Sequence, residues 1–255
     1  MSALRNLNTP MNYQLTPIAT IYTDFPTKFG IPRQSGLVKG LRGRIVFEPE
    51  YRNPDALRGL EGFSHIWLLW DFSEARREGK KWQPTVRPPR LGGNKRMGVF
   101  ATRSPFRPNN IGLSSVRILG IDLHTPDGPV IEVEGADLMS GTPIFDIKPY
   151  LAFTDSHPDA TGSLLGDARG MMDGGKGMAD DVECMADDGE CTVLAFHPSL
   201  VEAFDAERLE ALREILLSDP RPHYHDDADR VYAFEFAGKE VKFRFKPDQI
   251  EVWLG

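Results

Sequence analysis

The stretch Ile111–Glu134, IGLSSVRILGIDLHTPDGPVIEVE, reads as two β-strands, 111–122 and 129–134, with turn residues between them. Its β-branched residues suit a pleated, half-buried surface. The pattern continues on both sides. Upstream, Leu15–Tyr22 alternates weakly and predicts a first strand, and Gly43–Phe47 predicts a second with Ile45 and Phe47 on one face. His65–Phe72, HIWLLWDF, is an unbroken apolar run and predicts a strand buried on both sides. Met97–Thr102, Ala136–Met139 and Ile144–Ile147 complete the set, with a short helix near Pro54–Leu60. Short strands at this spacing, with little helical periodicity, predict a mainly β unit that is a barrel or a sandwich.

The second half changes character. From Asp155 to Cys191 there are ten acids against Arg169 and Lys176, with many Gly and few aromatics, which predicts an acidic linker or loop over 156–191. A small α+β unit is expected over 192–255. Ser199 with Glu202 has the spacing of a capping box, and Leu200, Phe204, Leu209, Leu212, Ile215 and Leu216 supply apolar helical positions. Pro220 and Pro222 stop the helix. Val231–Phe236, Glu240–Phe245 and Gln249–Leu254 predict three strands, the first two joined at Ala237-Gly238-Lys239.

The 255 residues carry a net charge of −7, unevenly spread. Between Arg76 and Arg107 there are ten Lys or Arg and one acid, Glu78, so a basic working surface on an acidic body is expected. Within it, QPTVRPPRLGG holds Pro84, Pro88 and Pro89, which exclude regular helix and central strand. This segment is either a connector or a rigid mount for Arg87 and Arg90. No apolar run is long enough for a membrane helix and residues 1–12 lack a signal-peptide core, so a cytoplasmic protein without a membrane partner is expected.

Several motifs carry nothing. Gly170–Gly177 nearly spells a phosphate loop, but no strand precedes it, acids surround it, and Gly177 stands where a hydroxyl must reach magnesium. No dinucleotide-type glycine triplet is present. His223, His225, Asp226 and Asp227 lack a further ligand in view, Cys184 and Cys191 suit neither a disulfide framework nor a zinc knuckle, and no metal site is expected. His65 reads as a satisfied core histidine.

Three polar, Pro- or Gly-punctuated segments at strand ends exceed what packing requires: Ile31–Gly36 (IPRQSG), Met97–Gly112 (MGVFATRSPFRPNNIG) and Asp137–Tyr150 (DLMSGTPIFDIKPY). Together with VRPPRLGGN, these motifs give the chain a resemblance to the TsaA-like (TrmO) tRNA methyltransferases, over most of its length and most densely over Ile31–Tyr150. Asp219-Pro220-Arg221-Pro222 and Tyr224 match the family's second domain. The resemblance implies an antiparallel, non-Rossmann β-barrel over 1–155 that binds S-adenosyl-L-methionine, a homodimer, and a C-terminal domain that helps to hold tRNA. It further implies N6-methylation of N6-threonylcarbamoyladenosine at tRNA position 37, with threonine tRNA the expected substrate. Cofactor contacts carry over to Pro32, Arg33, Gln34, Ser73, Glu74, Arg103, Leu113, Ser140, Gly141, Thr142 and Pro143. Two positions depart from the family: Asn110 replaces a usual proline, and Ser140 a usual aspartate.

The residue types suit this chemistry. Arg33 or Arg103 can meet the cofactor's carboxylate with a fork of donors, and Gly141 lets backbone approach closely. Arg87, Arg90, Lys95, Arg96, Arg107 and Arg221 can grip phosphates, while Phe106 or Tyr224 can stack on a loop base. The acceptor nitrogen is urea-like and poorly nucleophilic. Asp137, Asp146 and Tyr150 are candidates to take its proton, and the sequence assigns none of them. A second reading is a non-catalytic RNA-binding module that keeps the barrel and its basic face.

Overall fold

Six antiparallel strands close into a barrel in the computed structural model, which describes residues 13–75, 82–88, 96–160, 183–184, 191–221 and 229–255. They are β1 (Ala19–Thr23), β2 (Arg42–Phe47), β3 (His65–Asp71), β6 (Ile111–Thr125), β7 (Gly128–Glu134) and β8 (Thr142–Pro149), in the spatial order β1-β2-β7-β6-β3-β8. Two short strands, β4 (Thr85–Val86) and β5 (Met97–Gly98), pair by themselves in the connection from β3 to β6.

Period two fills the barrel. Ile21, Ile45, Ile66, Leu68, Val116, Ile131, Val133 and Ile144 are fully or almost fully buried inside it. The expectation that the β3 run is buried on both sides is corrected. Ile66, Leu68 and Trp70 point inward, whereas His65, Trp67 and Leu69 are half-buried on the outside. A barrel strand has one interior face. Its apolar outer face is covered instead by Tyr150, whose ring lies 5.5 Å from Trp67, and by Asp155, which accepts the Trp67 indole N–H at 2.9 Å. His65 is likewise half-buried, with Nδ1 2.9 Å from Ser64 Oγ, not a core histidine.

Other local expectations shift. The first strand begins only at Ala19, and 136–139 is irregular chain, not a strand. Met97–Thr102 is strand only at Met97–Gly98, then a 3-10 turn over Val99–Ala101. Pro54–Leu57 is a 3-10 turn, with a second over Leu60–Gly62.

Adjacent barrel strands run in opposite directions, so every connection belongs to one of two rims. The upper rim carries the connections β1–β2 (24–41), β3–β6 (72–110) and β7–β8 (135–141). The lower rim carries β2–β3 (48–64), the tight β6–β7 turn and the exit after β8.

The C-terminal sheet has the order β11-β12-β13-β10-β9, from β9 (Glu183–Cys184), β10 (Cys191–Phe196), β11 (Tyr232–Phe236), β12 (Lys239–Phe245) and β13 (Gln249–Leu254). Strand β10 pairs parallel with β13 and was not foreseen from the sequence. A short helix, α1 (Ala152–Asp155), follows β8, and between β10 and β11 lie helices α2 (Pro198–Ala203) and α3 (Ala206–Leu217). The α2 cap is His197, whose Nδ1 accepts the Ser199 N–H at 3.3 Å, so Ser199 sits inside the helix. Asp205 caps α3 by accepting the Arg208 N–H at 2.8 Å. The phosphate-loop-like Gly170–Gly177 and the His223–Asp227 cluster lie outside the described residues.

The two units share chain. Phe25, Val38 and Leu41, from the β1–β2 connection, are buried in the C-terminal core and not in the barrel. Burying such side chains is worth about 1.5–3 kcal/mol each, so the seam is a structural interface and not a loose contact.

Candidate functional site

Of the three segments singled out in the sequence, 31–36, 97–110 and the start of the third, 137–141, fall in upper-rim connections, while the rest of the third runs down β8 to Tyr150 at the other end. Strand order and alternating direction therefore bring together residues that lie about a hundred positions apart. The contacts are specific. Arg103, on the β3–β6 connection, donates from Nη1 to Gln34 Oε1 on the β1–β2 connection. The Gly36 N–H bonds to Gly135 O at 2.9 Å. A Cβ on Gly135 (φ +79°) would lie 3.3 Å from the Gly36 backbone, so this close crossing requires glycine.

The Ser140–Pro143 turn is stitched to the end of β1. Ser140 N–H donates to Phe25 O at 2.7 Å, Gly141 N–H to Ile21 O at 2.8 Å, and Thr23 N–H to Ser140 Oγ at 3.2 Å. The hydroxyl at the position where the family usually has aspartate is thus turned onto the β1 backbone. Thr142 is buried and its hydroxyl donates to Met139 O at 2.7 Å, which closes the turn. Gly141 (φ +84°) has nothing within 4 Å of its Cβ direction, so its backbone faces open space.

Beneath these groups lies a hydrogen-bonded chain that the sequence did not disclose. Trp70 Nε1 donates to Ser114 Oγ at 3.0 Å, and Ser114 Oγ donates to Asp137 Oδ1 at 2.6 Å. Burial pushes the Asp137 carboxyl above its usual range. The Ser114 hydroxyl, its own N–H, the Arg103 guanidinium and the Ser35 N–H oppose that rise without cancelling it. Trp70 is seated against Gly112, where a Cβ would come within 2.2 Å of the indole.

The remaining sequence candidates divide. Pro32 is buried and Arg33 exposed beside Gln34. Ser73 and Glu74 form a 3-10 turn tied to the β1–β2 connection by Lys28, whose Nζ lies 3.1 Å from Glu74 Oε2; Lys28 was not foreseen. Leu113 is 55% exposed on the outer face of β6, because its neighbours Gly112 and Ser114 face inward, so it does not join the rim cluster within this chain. Tyr150 lies past the lower end of β8, eight residues beyond Thr142 or roughly 25 Å at strand rise, which removes it as a proton acceptor at this rim. Asp146 pairs with Lys148 at 2.9 Å on the same strand. Only Asp137 of the three candidates stands at the site.

Among the basic residues, Arg87 and Arg96 are exposed. Arg107 is turned inward, donating to Thr102 O at 2.6 Å and Val99 O at 3.3 Å, and so holds its own turn. Arg221 forks onto Asp219 at 2.8 Å and stacks 3.7 Å over Phe245. Asn110 donates to Pro105 O at 2.6 Å, a bond the family's proline cannot make. Arg90, Lys95 and Tyr224 lie outside the described residues. Two exposed aromatics, Trp82 and Phe100, pack with ring centroids 6.0 Å apart, next to an open hollow of about 320 Å³ lined by Phe100, Arg107, Pro108, Asn109 and Ile111. This pair, unlike Phe106 and Tyr224, carries no signal in the sequence.

Cationic donors at Arg33 and Arg103, uncovered backbone at Gly141 and a buried carboxyl at Asp137 suit a small ligand that carries both a carboxylate and a positive centre. Among the described residues no group of His, Cys, Asp or Glu is placed to hold a metal ion, and no helix is long and apolar enough to cross a membrane.

Comparison with known proteins finds relatives of both units. Residues 20–156 match the tRNA-methyltransferase O N-terminal domain, and residues 196–254 match the TrmO C-terminal domain. The tRNA (adenine(37)-N6)-methyltransferase of Escherichia coli is 39% identical over 244 residues, 95% of this chain and 97% of that protein. RcsF of Pseudomonas aeruginosa, described as an S-adenosylmethionine-dependent methyltransferase, is 43% identical over 150 residues, 59% of this chain and 62% of that one. A crystal structure of TrmO from P. aeruginosa superposes with a TM-score of 0.68 at 29% identity, covering 97% of this chain and 99% of the other.

Proposed function

The chain belongs to the tRNA-methyltransferase O family, and on that premise we propose that it methylates N6 of N6-threonylcarbamoyladenosine at position 37 of tRNA, threonine tRNA foremost. The methyl donor is S-adenosylmethionine. The observation that carries this reading is the meeting of Gln34, Arg103, Asp137 and the Ser140–Pro143 turn at one barrel rim. Pro32–Gln34 and Ser140–Pro143 hold the donor, Arg103 and Arg33 face its carboxylate, and Ser73 and Glu74 flank it. The bound donor supplies an electrophilic methyl group. The protein's part is alignment, which can contribute about 7–11 kcal/mol to such a transfer, with Asp137 fixing Ser35 and facing Arg103 rather than taking a proton itself.

The barrel unit, 1–155, carries the donor, while 192–255 helps to hold tRNA beyond the 156–191 segment. Arg87 and Arg96 meet RNA phosphates, and the Trp82–Phe100 pair offers a stacking surface. The protein works as a cytoplasmic homodimer. Leu113, Leu119 and Leu123, exposed along β6, give a second copy an apolar face, and pairing there lets Leu113 serve a donor site.

The test is transfer of label from methyl-labelled S-adenosylmethionine to tRNA with and without the threonylcarbamoyl group. Label on the modified tRNA alone is expected; equal label on both would show that the acceptor is wrong. Arg103→Ala should raise the donor Kd about 10- to 100-fold, in keeping with the loss of a charge-assisted contact.

A further inference from the structure

We propose that the C-terminal unit is part of the donor site: Glu214 and Phe234 are positioning residues that hold the 24–41 connection, and with it Pro32-Arg33-Gln34, in its binding shape. The inference rests on the reading that Pro32–Gln34 contacts S-adenosylmethionine. It adds to the C-terminal unit a task separate from holding RNA.

The connection has no helix or strand of its own, so its shape is set by what it packs against. The barrel interior takes none of its buried apolar side chains. Phe25, Val38 and Leu41 enter the C-terminal core, and Phe29 and Ile31 pack against it. The Phe29 ring stands edge-on to Phe234 at 6.2 Å and stacks on Phe243 at 6.3 Å. Anchors therefore sit immediately before and shortly after Pro32–Gln34. Backbone contact is just as close. Gly30, two residues before Pro32, has φ +91°, and a Cβ there would lie 2.7 Å from the Phe234 ring.

Polar bonds fix both ends. Ala237 N–H donates to Asp24 O at 2.9 Å, and Lys39 N–H donates to Glu214 Oε2 at 2.6 Å. Arg208, in the first turn of α3, reaches Asp24 Oδ1 at 3.5 Å. On its opposite side the connection carries the bonds to Gly135, Ser140 and Asp137 already described. It is clamped between two units, and loosening the C-terminal side frees the donor-binding residues without touching them. By linkage, tRNA contacts on the C-terminal unit and donor affinity then influence one another reciprocally.

The experiment is calorimetric titration of the full-length protein with S-adenosylmethionine, without tRNA, alongside tRNA binding and a thermal melt. Glu214→Ala should raise the donor Kd about tenfold, equivalent to about 1.4 kcal/mol, while tRNA binding measured without donor stays near wild type. Glu214→Gln, which keeps an acceptor for the Lys39 N–H, should recover most of the affinity. Gly30→Ala, which drives the connection off Phe234, should weaken the donor at least as much. Wild-type donor affinity in both Glu214→Ala and Gly30→Ala would overturn the inference, as would equal losses in the Ala and Gln variants of Glu214. Absence of any heat with the wild-type protein would instead overturn the reading of the donor site itself.

Discussion

Replacing Asp137 by Asn is expected to make the protein more stable and a weaker binder of S-adenosylmethionine. The Asp137 carboxylate accepts Ser114 Oγ–H at 2.6 Å and the Ser35 N–H, and it faces Arg103, yet burial outweighs them all and holds its pKa above the ordinary 3.8. For a carboxyl raised in the folded state, the neutral form's stabilising contribution is complete below the unfolded pKa. It is lost as pH rises through the folded pKa. Wild type loses it as pH rises; an amide, uncharged throughout, does not. Once the carboxyl is ionised, binding moves the other way. A hydrogen bond to a charged acceptor is worth about 1.5–3 kcal/mol and one to a neutral acceptor about 0.5–1.5, so the Ser114 and Ser35 bonds each weaken by about 1 kcal/mol. Expressed wholly as looser placement of Ser35 and Arg103, this caps the rise in donor Kd at about thirtyfold. Urea unfolding of both proteins from about pH 4 to 8 and donor titration over the same range measure the two effects. A stability difference that fails to grow in the variant's favour as pH rises, or an unchanged donor Kd, would refute the reasoning.

Gly112→Ala places a Cβ 2.2 Å from the Trp70 indole, so Trp70 must leave Ser114; a loss of about 1–3 kcal/mol or more is expected in denaturant unfolding. Arg87→Ala combined with Arg96→Ala should weaken tRNA binding and flatten its salt dependence by a slope of roughly 1.5–2, with little change in melting temperature. Arg107→Ala should do the reverse and lower the melting temperature, because its guanidinium holds Thr102 O and Val99 O. Asp155, held below the ordinary 3.8 by the Leu151 N–H and the Trp67 indole, has the opposite pH sign to Asp137. Its contribution is present above the unfolded pKa and lost as pH falls through the folded one, so the gap between wild type and Asp155→Asn should close in acid.

The amino-acid sequence alone determined which segments are extended and which connections are chemically dense. Alternation in Arg42–Phe47 and Ile111–Glu134, and the Pro- and Gly-broken runs at 31–36, 97–112 and 137–143, are local signals, and they located strands and rim residues well. Local signals failed where a segment answers to distant partners. The β3 run looked doubly buried because its outer face is sheltered by Tyr150 and Asp155, which no window around β3 contains. Residue type marks Arg107 as a phosphate ligand but does not reveal that it also bonds to backbone carbonyls of its own turn. Tertiary structure alone decided that the three dense connections share one rim, that Tyr150 lies at the other, and that Asp137 sits beneath Arg103 on a Ser114–Trp70 chain. It also decided that Phe25, Val38 and Leu41 pack in the C-terminal core. The physical reason is closure: a strand's own pattern sets its faces, but its neighbours and the rim its connections join are fixed only when all six strands complete one another's hydrogen bonds.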